Sequence, residues 1–401
     1  MGLEQIRDEF PALRQKTFLD AACVSIAPHV ATEAVRRFLE MASACPAPSS
    51  TLHHIEMDSL RETARTEGAR LIGADPDEIA LVESTTHGLT LAAQSIPLQA
   101  GDRVLLCDLE FPEVAIPWCQ RKAADGIEID LVHNRDGRIL PEDIAARMQP
   151  RTRVLAISSV QWSNGFRCDL AAIGALCLKR GVWFVVDAIQ QLGAVPLDVR
   201  KTPVDILACG GHKWLNSPFG AGILYIRREI LDRLRPPMAG YMSLEPPVGG
   251  WQNYFQTQSI TPVNDYRFVS EARRFELGGT ANYPGAIALA ASVGLINDLG
   301  TATIWEHIRG LTDHLIDGLR SLDVEVVTPP EHGSRSGIVT FSAGSAGRNI
   351  ALMQRLLDRK ILVSVRYTSQ VGGVRVSCHF FNSQADIDRL LAALAEILRS
   401  A

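Results

Sequence analysis

The stretch VVDAIQQLGAVPLDV at residues 185–199 and the stretch DILACGGHKWLNSPFGAGILY at residues 205–225 decide the fold. Each begins as a short apolar run typical of a buried strand and then turns small and polar. Asp187 ends one such run, and Lys213 lies between two of them. Because an unpaired charge is costly to bury, a carboxylate and an ammonium in these positions indicate a functional site.

The chain around these stretches alternates between two kinds of segment. From residue 55 to 225, helix-periodic segments separate short runs of Val, Ile and Leu. Continuous apolar runs between amphipathic helices are typical of a mainly parallel sheet with helices on both faces. The sequence therefore predicts an α/β fold, and in such sheets ligands bind beyond the carboxyl ends of the strands.

The pattern changes in the last third of the chain. Residues 235–275 are rich in Pro, Gly and aromatics, which predicts a long functional loop or crossover. A long helical stretch follows, and then short strands mixed with two helices; one of these strands is expected over ILVSVRY at residues 361–367. The last helix is preceded by a capping box, SQAD, at residues 383–386. We expect an N-terminal segment (1–20) that packs on the small domain, a large domain (21–290) and a small C-terminal α+β domain (291–401).

Composition excludes several classes of protein. The 401 residues carry a net charge of −5 without a basic run, which argues against nucleic acid as the partner. Apolar stretches are too short or too interrupted for a membrane span, and the charged start is not a secretory signal. The eight cysteines include no Cys-x-x-Cys pair, so reduced thiols in a cytoplasmic protein are expected.

Four residue groups follow strands and together indicate one cofactor. Ser84, Thr85 and Thr86 open a helix and could bind phosphate or merely cap it. Phe111 could be a core aromatic or a surface on which a ring stacks. Asp187 could be a helix cap or a buried functional acid, and Lys213 could simply extend its ammonium to solvent. Together they fit pyridoxal 5′-phosphate (PLP), which needs a lysine for its Schiff base and an acid for its ring nitrogen. Burial lowers the pKa of a lysine toward the neutral form that attacks a carbonyl.

The chain resembles fold-type I PLP enzymes of the class V aminotransferase branch over nearly its whole length. The two opening stretches carry the strongest part of this resemblance. That branch includes cysteine desulfurases, selenocysteine lyases and isopenicillin N epimerase-like proteins. The resemblance implies that Lys213 carries PLP and Asp187 pairs with the pyridine nitrogen. It also implies further cofactor contacts: Thr85, Thr86 and His212 on the phosphate, Phe111 on the ring face, and Gln190 on the ring 3-hydroxyl.

Other segments of the resemblance concern the substrate and a partner subunit. FELGGTANYPG at 275–285 is similar to a segment that reaches into the neighbouring subunit, so Thr280 would bind the partner's phosphate in a homodimer with shared sites. Arg375 lies where the family holds the carboxylate of an amino-acid substrate, and a guanidinium suits that task. FLDAACVSIAPH at 18–29 is similar to a loop over the active site.

Departures from the family pattern bear on the reaction. Gly210 stands where many relatives have a serine that binds phosphate. Gln161-Trp162 stands where many have an asparagine near the 3-hydroxyl, so Gln161 and Trp162 are expected to contact the cofactor. The stretch VRYTSQVGGVR at 365–375 is short and lacks the sulfur-accepting cysteine of desulfurases. Cys378 is expected on the strand face opposite Arg375, and Cys23 is a weak alternative, so a persulfide-forming desulfurase is disfavoured.

Several reactions remain open from the sequence. A class V aminotransferase acting on a small α-amino acid leads, with a β-eliminating carbon–sulfur lyase and an epimerase as rivals. A non-catalytic PLP-fold binding protein is a further rival, although it would not need Lys213, Asp187 and Arg375 together. A Rossmann enzyme is disfavoured, since no Gly-x-Gly-x-x-Gly follows the first strand.

Overall fold

A computed structural model gives the architecture of the chain for residues 2, 3 and 5–400. The strands are, in chain order, β1 (Thr17–Phe18), β2 (Ile79–Val82), β3 (Arg103–Cys107), β4 (Glu128–Val132), β5 (Thr152–Ser158), β6 (Trp183–Asp187), β7 (Ile206–Gly210), β8 (Gly222–Ile226), β9 (Glu325–Val326), β10 (Ile338–Ser342), β11 (Ile361–Leu362), β12 (Ser364–Thr368) and β13 (Val371–Ser377).

Helices connect and cover these strands. The α-helices are α1 (His29–Ala44), α2 (Ser50–Ile72), α3 (Thr85–Ser95), α4 (Pro112–Asp125), α5 (Pro141–Arg147), α6 (Leu170–Arg180), α7 (Gly250–Phe255), α8 (Tyr283–Leu299), α9 (Thr301–Arg320), α10 (Ala346–Asp358) and α11 (Gln384–Arg399). Short 3-10 helices are formed by Gln5–Glu9, Pro11–Arg14, Pro76–Glu78, Arg228–Arg233, Tyr241–Ser243, Ala272–Phe275 and His332–Ser334.

The large sheet has seven strands in the order β2-β8-β7-β6-β5-β3-β4. Its strands are parallel except β8, which runs antiparallel to both β2 and β7. Side chains alternate along β6, so that Phe184 and Val186 enter one apolar core and Val185 enters the other. Two cores on opposite faces explain why these strands are apolar throughout, and the predicted α/β class with a mainly parallel sheet is confirmed.

The carboxyl ends of β5, β6 and β7 meet at one edge of this sheet. Ser158 at the end of β5 is in register with Asp187 at the end of β6, and Asp187 with Ala208 in β7. The turn that carries Lys213 begins after β7. The parallel register therefore brings together residues that are far apart in the sequence.

A smaller sheet in the order β12-β13-β10-β9 packs with α9, α10 and α11 around its own apolar core. The sequence predicted one strand over 361–367, whereas the chain forms β11 and β12 there. β11 pairs with β1 and β12 pairs with β13, so the chain changes partners at Val363. The predicted capping box is confirmed, since Ser383 and Asp386 bond reciprocally at the start of α11.

Residues near the N-terminus contact this smaller unit. Arg7 donates to the carbonyl of Phe381 (2.6 Å) and to Asp386 (2.7 Å), and the Phe10 ring lies 4.8 Å from that of Phe381. The expected boundary after residue 290 falls inside α8. The chain bends by 78° between α8 and α9, at Gly300. The division into domains stays a prediction.

None of the helices in the described part of the chain is by itself long and apolar enough to cross a membrane. α8 and α9 reach that length and apolarity only when taken together across their bend. Most of the apolar residues of α8 are buried against α1, α2 and the core of the large sheet.

Candidate active site

A cavity of about 310 Å³ opens at the carboxyl edge of the large sheet, beside β12 and β13 of the smaller one. Small-molecule sites are commonly of this size and in this position. Its wall is formed by Ala22, Cys23, Ser84, Thr85, Thr86, Phe111, Glu113, Trp162, Asp187, Ile189, His212, Lys213, Arg366 and Arg375.

Lys213 projects into this cavity from the turn between β7 and β8. Its Nζ lies 5.6 Å from the centre of the Phe111 ring and makes no ion pair within 4 Å in the described residues. Burial lowers the pKa of Lys213 to about 8, while the charge of Asp187 opposes the shift and that of Arg375 adds to it. A substantial fraction of this side chain is therefore a neutral amine at physiological pH.

Asp187 forms the floor of the cavity at the end of β6. It is 3% exposed, and its Oδ1 accepts a hydrogen bond from the backbone N–H of Ile189 (2.9 Å). Burial raises the pKa of Asp187 to about 7, against the stabilising effects of that N–H and of Lys213. A buried carboxyl that has one hydrogen bond within the described part of the chain is well placed to take a further protonated partner.

The first turn of α3 supplies an anion-binding end to the cavity. Ser84 caps the helix, because its hydroxyl accepts a hydrogen bond from the backbone N–H of His87 (3.1 Å). Of the two roles expected for Ser84, that of a helix cap is therefore observed. Thr85 and Thr86 line the cavity at the positive end of the helix dipole. Burial lowers the pKa of His212, next to them, to about 4, with Lys213 contributing, so its ring is neutral.

The neighbours of Gly210 explain why this position has no side chain. Its backbone N–H donates to Thr85 Oγ1 (2.8 Å), and a Cβ at Gly210 would lie 3.0 Å from the same oxygen. A serine here would crowd Thr85. The hydroxyl that the family supplies at this position is therefore absent, and Thr85 occupies the adjoining space.

Arg375 lies on β13 and is almost fully enclosed, with 1% of the residue exposed. Its Nη1 donates to the carbonyl of Trp162 (3.0 Å) and its Nη2 to Asp20 Oδ1 (3.2 Å). Its buried Nε has no partner in the described residues. The guanidinium is thus held in place by the protein at two nitrogens.

The N-terminal loop predicted to lie over the site does border it. Ala22 and Cys23 line the cavity, and the backbone N–H of Ser25 donates to the carbonyl of His212 (2.9 Å). Gln190 fastens the loop from below, since its Nε2 donates to the carbonyl of Ala22 (3.1 Å). Its Oε1 accepts from Trp214 Nε1 (2.7 Å).

Not every predicted cofactor residue reaches the cavity. Gln161 does not line the cavity, and its Nε2 donates to Glu110 (3.3 Å) and to the Cys107 sulfur (3.6 Å), so its contact with the cofactor stays a prediction. Gln190 does not line the cavity, and its contact with a ring hydroxyl stays a prediction. Thr280 is exposed and outside the cavity of its own chain, so its role toward a partner also stays a prediction.

Two charged residues of the cavity were missed from the sequence. Arg366 on β12 and Glu113 at the start of α4 both line it. Arg366 lies in the stretch VRYTSQVGGVR, where the family resemblance points to Arg375 and to the missing thiol but not to Arg366. Glu113 occupies the first turn of a helix, where acidic residues are common, so nothing in the sequence distinguished it.

The residues that line the cavity fit PLP. Trp162 Nε1 is a buried donor at the cavity with no partner in the described residues. The start of α3 suits a phosphate, Asp187 a protonated ring nitrogen, Phe111 a ring face and Lys213 an aldehyde. This set of groups matches the whole cofactor rather than one part of it.

Comparisons with known proteins agree with this fit. The family model for aminotransferase class-V matches residues 17–390. A cysteine desulfurase of Cronobacter sakazakii is 29% identical over 99% of this chain and 98% of its own. Isopenicillin N epimerase of Streptomyces clavuligerus is 31% identical over 84% of this chain and 85% of its own.

Solved structures show the same architecture. The cystine C-S lyase C-DES, in complex with cysteine persulfide, superimposes with a TM-score of 0.85 at 26% identity over 96% of this chain and 99% of its own. A variant of C-DES with glycine covalently linked to its PLP cofactor gives a TM-score of 0.86 at 26% identity, over 97% and 99% of the two chains. The predicted fold and cofactor are thereby confirmed, and the chain belongs to the class V aminotransferase family of PLP-dependent, fold-type I enzymes.

Proposed function

We propose that this PLP enzyme is a lyase that cleaves the Cβ–S bond of a cysteine-type amino acid without storing sulfur on a thiol of its own. The observation that carries the proposal is the tight connection between β12 and β13. Ser369 and Gln370 turn the chain there with φ values of 46° and 67°, as in a two-residue hairpin turn. This hairpin borders the cavity through Arg366 and Arg375, and it carries no cysteine.

Lys213 is the base of the proposed reaction. Its lowered pKa supplies a neutral amine that takes the proton from the substrate Cα. The Cβ–S bond then breaks and the sulfur leaves with the electron pair. The remaining three-carbon fragment is hydrolysed to pyruvate and ammonia, so no keto-acid acceptor is consumed.

Asp187 and the start of α3 would orient the cofactor. PLP, when bound, withdraws electrons from the substrate Cα. Asp187 would hold a proton on the ring nitrogen, because a buried carboxylate is stabilised by a cationic partner. Thr85, Thr86 and the neutral His212 would hold the phosphate, at the same cavity that Asp187 lines.

Arg375 would bind the substrate α-carboxylate. Asp20 and the carbonyl of Trp162 hold its guanidinium from behind, which leaves the buried Nε without a partner. A charge-assisted contact to a preoriented guanidinium suits recognition of an α-amino acid. The substrate would thereby present its Cα to Lys213.

The thiols of the chain support release of sulfur rather than its storage. Cys378 is fully buried with Val374 and Val376 in the core of the smaller sheet, and burial raises its pKa to about 12. A buried, protonated thiol is a poor nucleophile. Cys107 and Cys168 are likewise buried, and neither lines the cavity.

Cys23 gives a specific reason to keep desulfuration as the second candidate. Its sulfur lies at the cavity and accepts from Arg366 Nη2 at 3.3 Å. A thiol that lines the cavity is within reach of sulfur released from a bound substrate. In that reaction alanine and a persulfide on Cys23 would replace pyruvate and a free sulfur product.

A homodimer and a cytoplasmic location are part of the proposal. Glu276 anchors the start of the segment that ends at Thr280, since Arg61 and Arg65 pair with its buried carboxylate. Beyond this anchor, Leu277 and Thr280 are exposed. An exposed segment on a rigid base suits a contribution of Thr280 to the phosphate of a partner subunit.

Product analysis tests the function. The holoenzyme is incubated with cystine, cysteine and S-alkylcysteines, with and without a keto acid. Acceptor-independent pyruvate and ammonia in equal amounts are expected. Alanine with a persulfide that is lost in Cys23→Ser would establish desulfuration instead, while strict dependence on a keto acid or inversion at Cα would establish transamination or epimerisation.

A further inference from the structure

Buried carboxylates in this protein are nearly all paired with arginine. Seven are buried in the described residues, and five of these have an arginine within 4 Å: Asp102 with Arg151, Asp130 with Arg103, Asp205 with Arg227, Glu276 with Arg61 and Arg65, and Asp386 with Arg7. Asp187 and Glu110 form no ion pair within 4 Å among the same residues. Because an unpaired carboxylate is costly to bury, both need an explanation.

Asp187 has its explanation in the cofactor, since the protonated ring nitrogen of PLP would be its cation. Glu110 does not line the cavity. It is 8% exposed and lies between β3 and α4, directly before Phe111, which does line the cavity. A buried acid without a cation of its own therefore lies one residue behind the cavity wall.

The groups that contact the Glu110 carboxylate are all neutral donors. Its Oε2 accepts from the backbone N–H (2.9 Å) and the hydroxyl of Ser158. Its Oε1 accepts from the Cys107 thiol (2.8 Å) and from Gln161 Nε2 (3.3 Å). Burial raises the pKa of Glu110, and these hydrogen bonds oppose the rise. They hold the carboxylate in place, but they bring no positive charge to it.

We propose that Glu110 is a positioning residue for PLP, which holds the cavity wall from behind and adds its negative charge to that of Asp187 in stabilising the protonated ring nitrogen. The cofactor would thus supply the cation that the protein does not. The inference concerns the binding of PLP, so it does not depend on which bond of the substrate is broken.

Ser158 connects the two carboxylates. It is in register with Asp187 on the neighbouring parallel strand, and side chains at paired positions of neighbouring strands project from the same face of a sheet. The Ser158 hydroxyl on that face donates to Glu110. One strand spacing and one hydrogen bond, about 8 Å in all, therefore separate the two acids.

Glu110 also connects the two aromatic residues of the cavity wall. It directly precedes Phe111, and its partner Gln161 directly precedes Trp162. The two rings line the cavity and meet edge to face with their centres 5.2 Å apart. The hydrogen bond between Glu110 and Gln161 thus joins the two loops that carry these rings.

Glu110→Gln removes the charge while the hydrogen bonds can be rebuilt. The introduced amide keeps one acceptor oxygen for the N–H and hydroxyl of Ser158. Its new donor can face Gln161, whose Oε1 is buried without a partner in the described residues and can turn toward it. The stability of the apoenzyme should therefore stay the same or rise, because a buried charge is lost and its contacts are kept.

Binding of PLP to the variant should weaken. Charges about 8 Å apart in a protein interior with an effective dielectric constant near 20 interact strongly enough to change an affinity roughly tenfold to fiftyfold. The dissociation constant of PLP, from titration of the apoenzyme, should rise by that factor in Glu110→Gln. The increase in unfolding temperature on binding PLP should shrink accordingly. Glu110→Asp keeps the charge and should retain most of the affinity.

Asp205→Asn is the matched control. Asp205 is a buried acid that directly precedes β7, at the opposite edge of the sheet from the cavity, and it accepts from the N–H of Phe184 (2.9 Å) beside Arg227. This change should lower the unfolding temperatures of the apoenzyme and the holoenzyme alike. The dissociation constant of PLP should stay within about twofold of the wild-type value.

Two results would overturn the proposal. An unchanged affinity for PLP in Glu110→Gln would show that the charge does not act on the cofactor. A Glu110→Gln apoenzyme that is unfolded, or destabilised as much as its holoenzyme, would show that the carboxylate serves the fold alone. Equal losses of PLP affinity in Glu110→Asp and Glu110→Gln would likewise remove the charge from the explanation.

Discussion

The reactivity of Lys213 follows directly from its surroundings and can be measured in the apoenzyme. Burial lowers its pKa from the ordinary 10.5 to about 8. At pH 7.5 roughly a quarter of the Lys213 side chains are then neutral, against roughly one in a thousand for a lysine in water. Only the neutral amine attacks an aldehyde, so this site should gain roughly 200-fold in reactive fraction.

The assay is the rate at which apoenzyme takes up PLP between pH 6 and 10, followed by absorbance. Rates are divided by those of PLP with a simple alkylamine in the same buffers, corrected for the neutral fraction of that amine. The corrected rate should rise about tenfold per pH unit below 8 and level off above it. In Asp187→Asn the midpoint should move down, because the negative charge of Asp187 raises the pKa of Lys213.

A corrected rate that still rises steeply through pH 10 would refute this reasoning. It would mean that Lys213 behaves as a solvated ammonium and that the cavity does not shield it. An upward shift of the midpoint in Asp187→Asn would contradict the assigned interaction between the two groups. The pH dependence of the wild type thus tests the effect of burial on the pKa of Lys213. The shift of its midpoint in Asp187→Asn tests the effect of the Asp187 charge.

Three further changes probe other parts of the molecule. Glu276→Gln should cost about 3 kcal/mol of unfolding free energy in urea, because it leaves the buried Arg61 and Arg65 without their shared carboxylate; a loss below about 1 kcal/mol would show that the cluster is not needed. Arg375→Ala should lower kcat/KM about 30-fold or more for every true substrate, through loss of the α-carboxylate contact, and a normal kcat/KM would remove it from substrate binding. Mixing Lys213→Ala with Thr280→Ala chains should regain activity through one complete site per heterodimer, whereas a fully active monomer would contradict shared sites.

The sequence predicted the parts of the site that depend on strand ends. Lys213, Asp187 and Thr85 lie at or just after the ends of β7, β6 and β2. These three strands point the same way, so their carboxyl ends share one edge of the sheet whatever their separation in the chain. The direction in which the Gln161 amide points could not be predicted from the sequence. Its side chain could turn either way, and the buried carboxylate of Glu110 provides the better partner for its amide.

The other features of the site depend on contacts between segments that are far apart in the sequence. The pairing of Arg375 with Asp20 joins β13 to the N-terminal loop, and neither sequence segment indicates it alone. Arg366 looks like an ordinary polar residue in a short strand until its register with Gly373 places it on the same face as Arg375. The split of the 361–367 strand likewise follows from a second partner, β1.

We propose that Lys213, and no other lysine of the chain, holds the cofactor in the cavity beside Asp187. Borohydride reduction of the holoenzyme, followed by digestion and mass spectrometry, identifies the lysine that carries the cofactor. The reduced cofactor is expected on the peptide containing Lys213, and Lys213→Ala is expected to abolish the label. Label on another lysine, such as Lys201, or full labelling of Lys213→Ala, would contradict it.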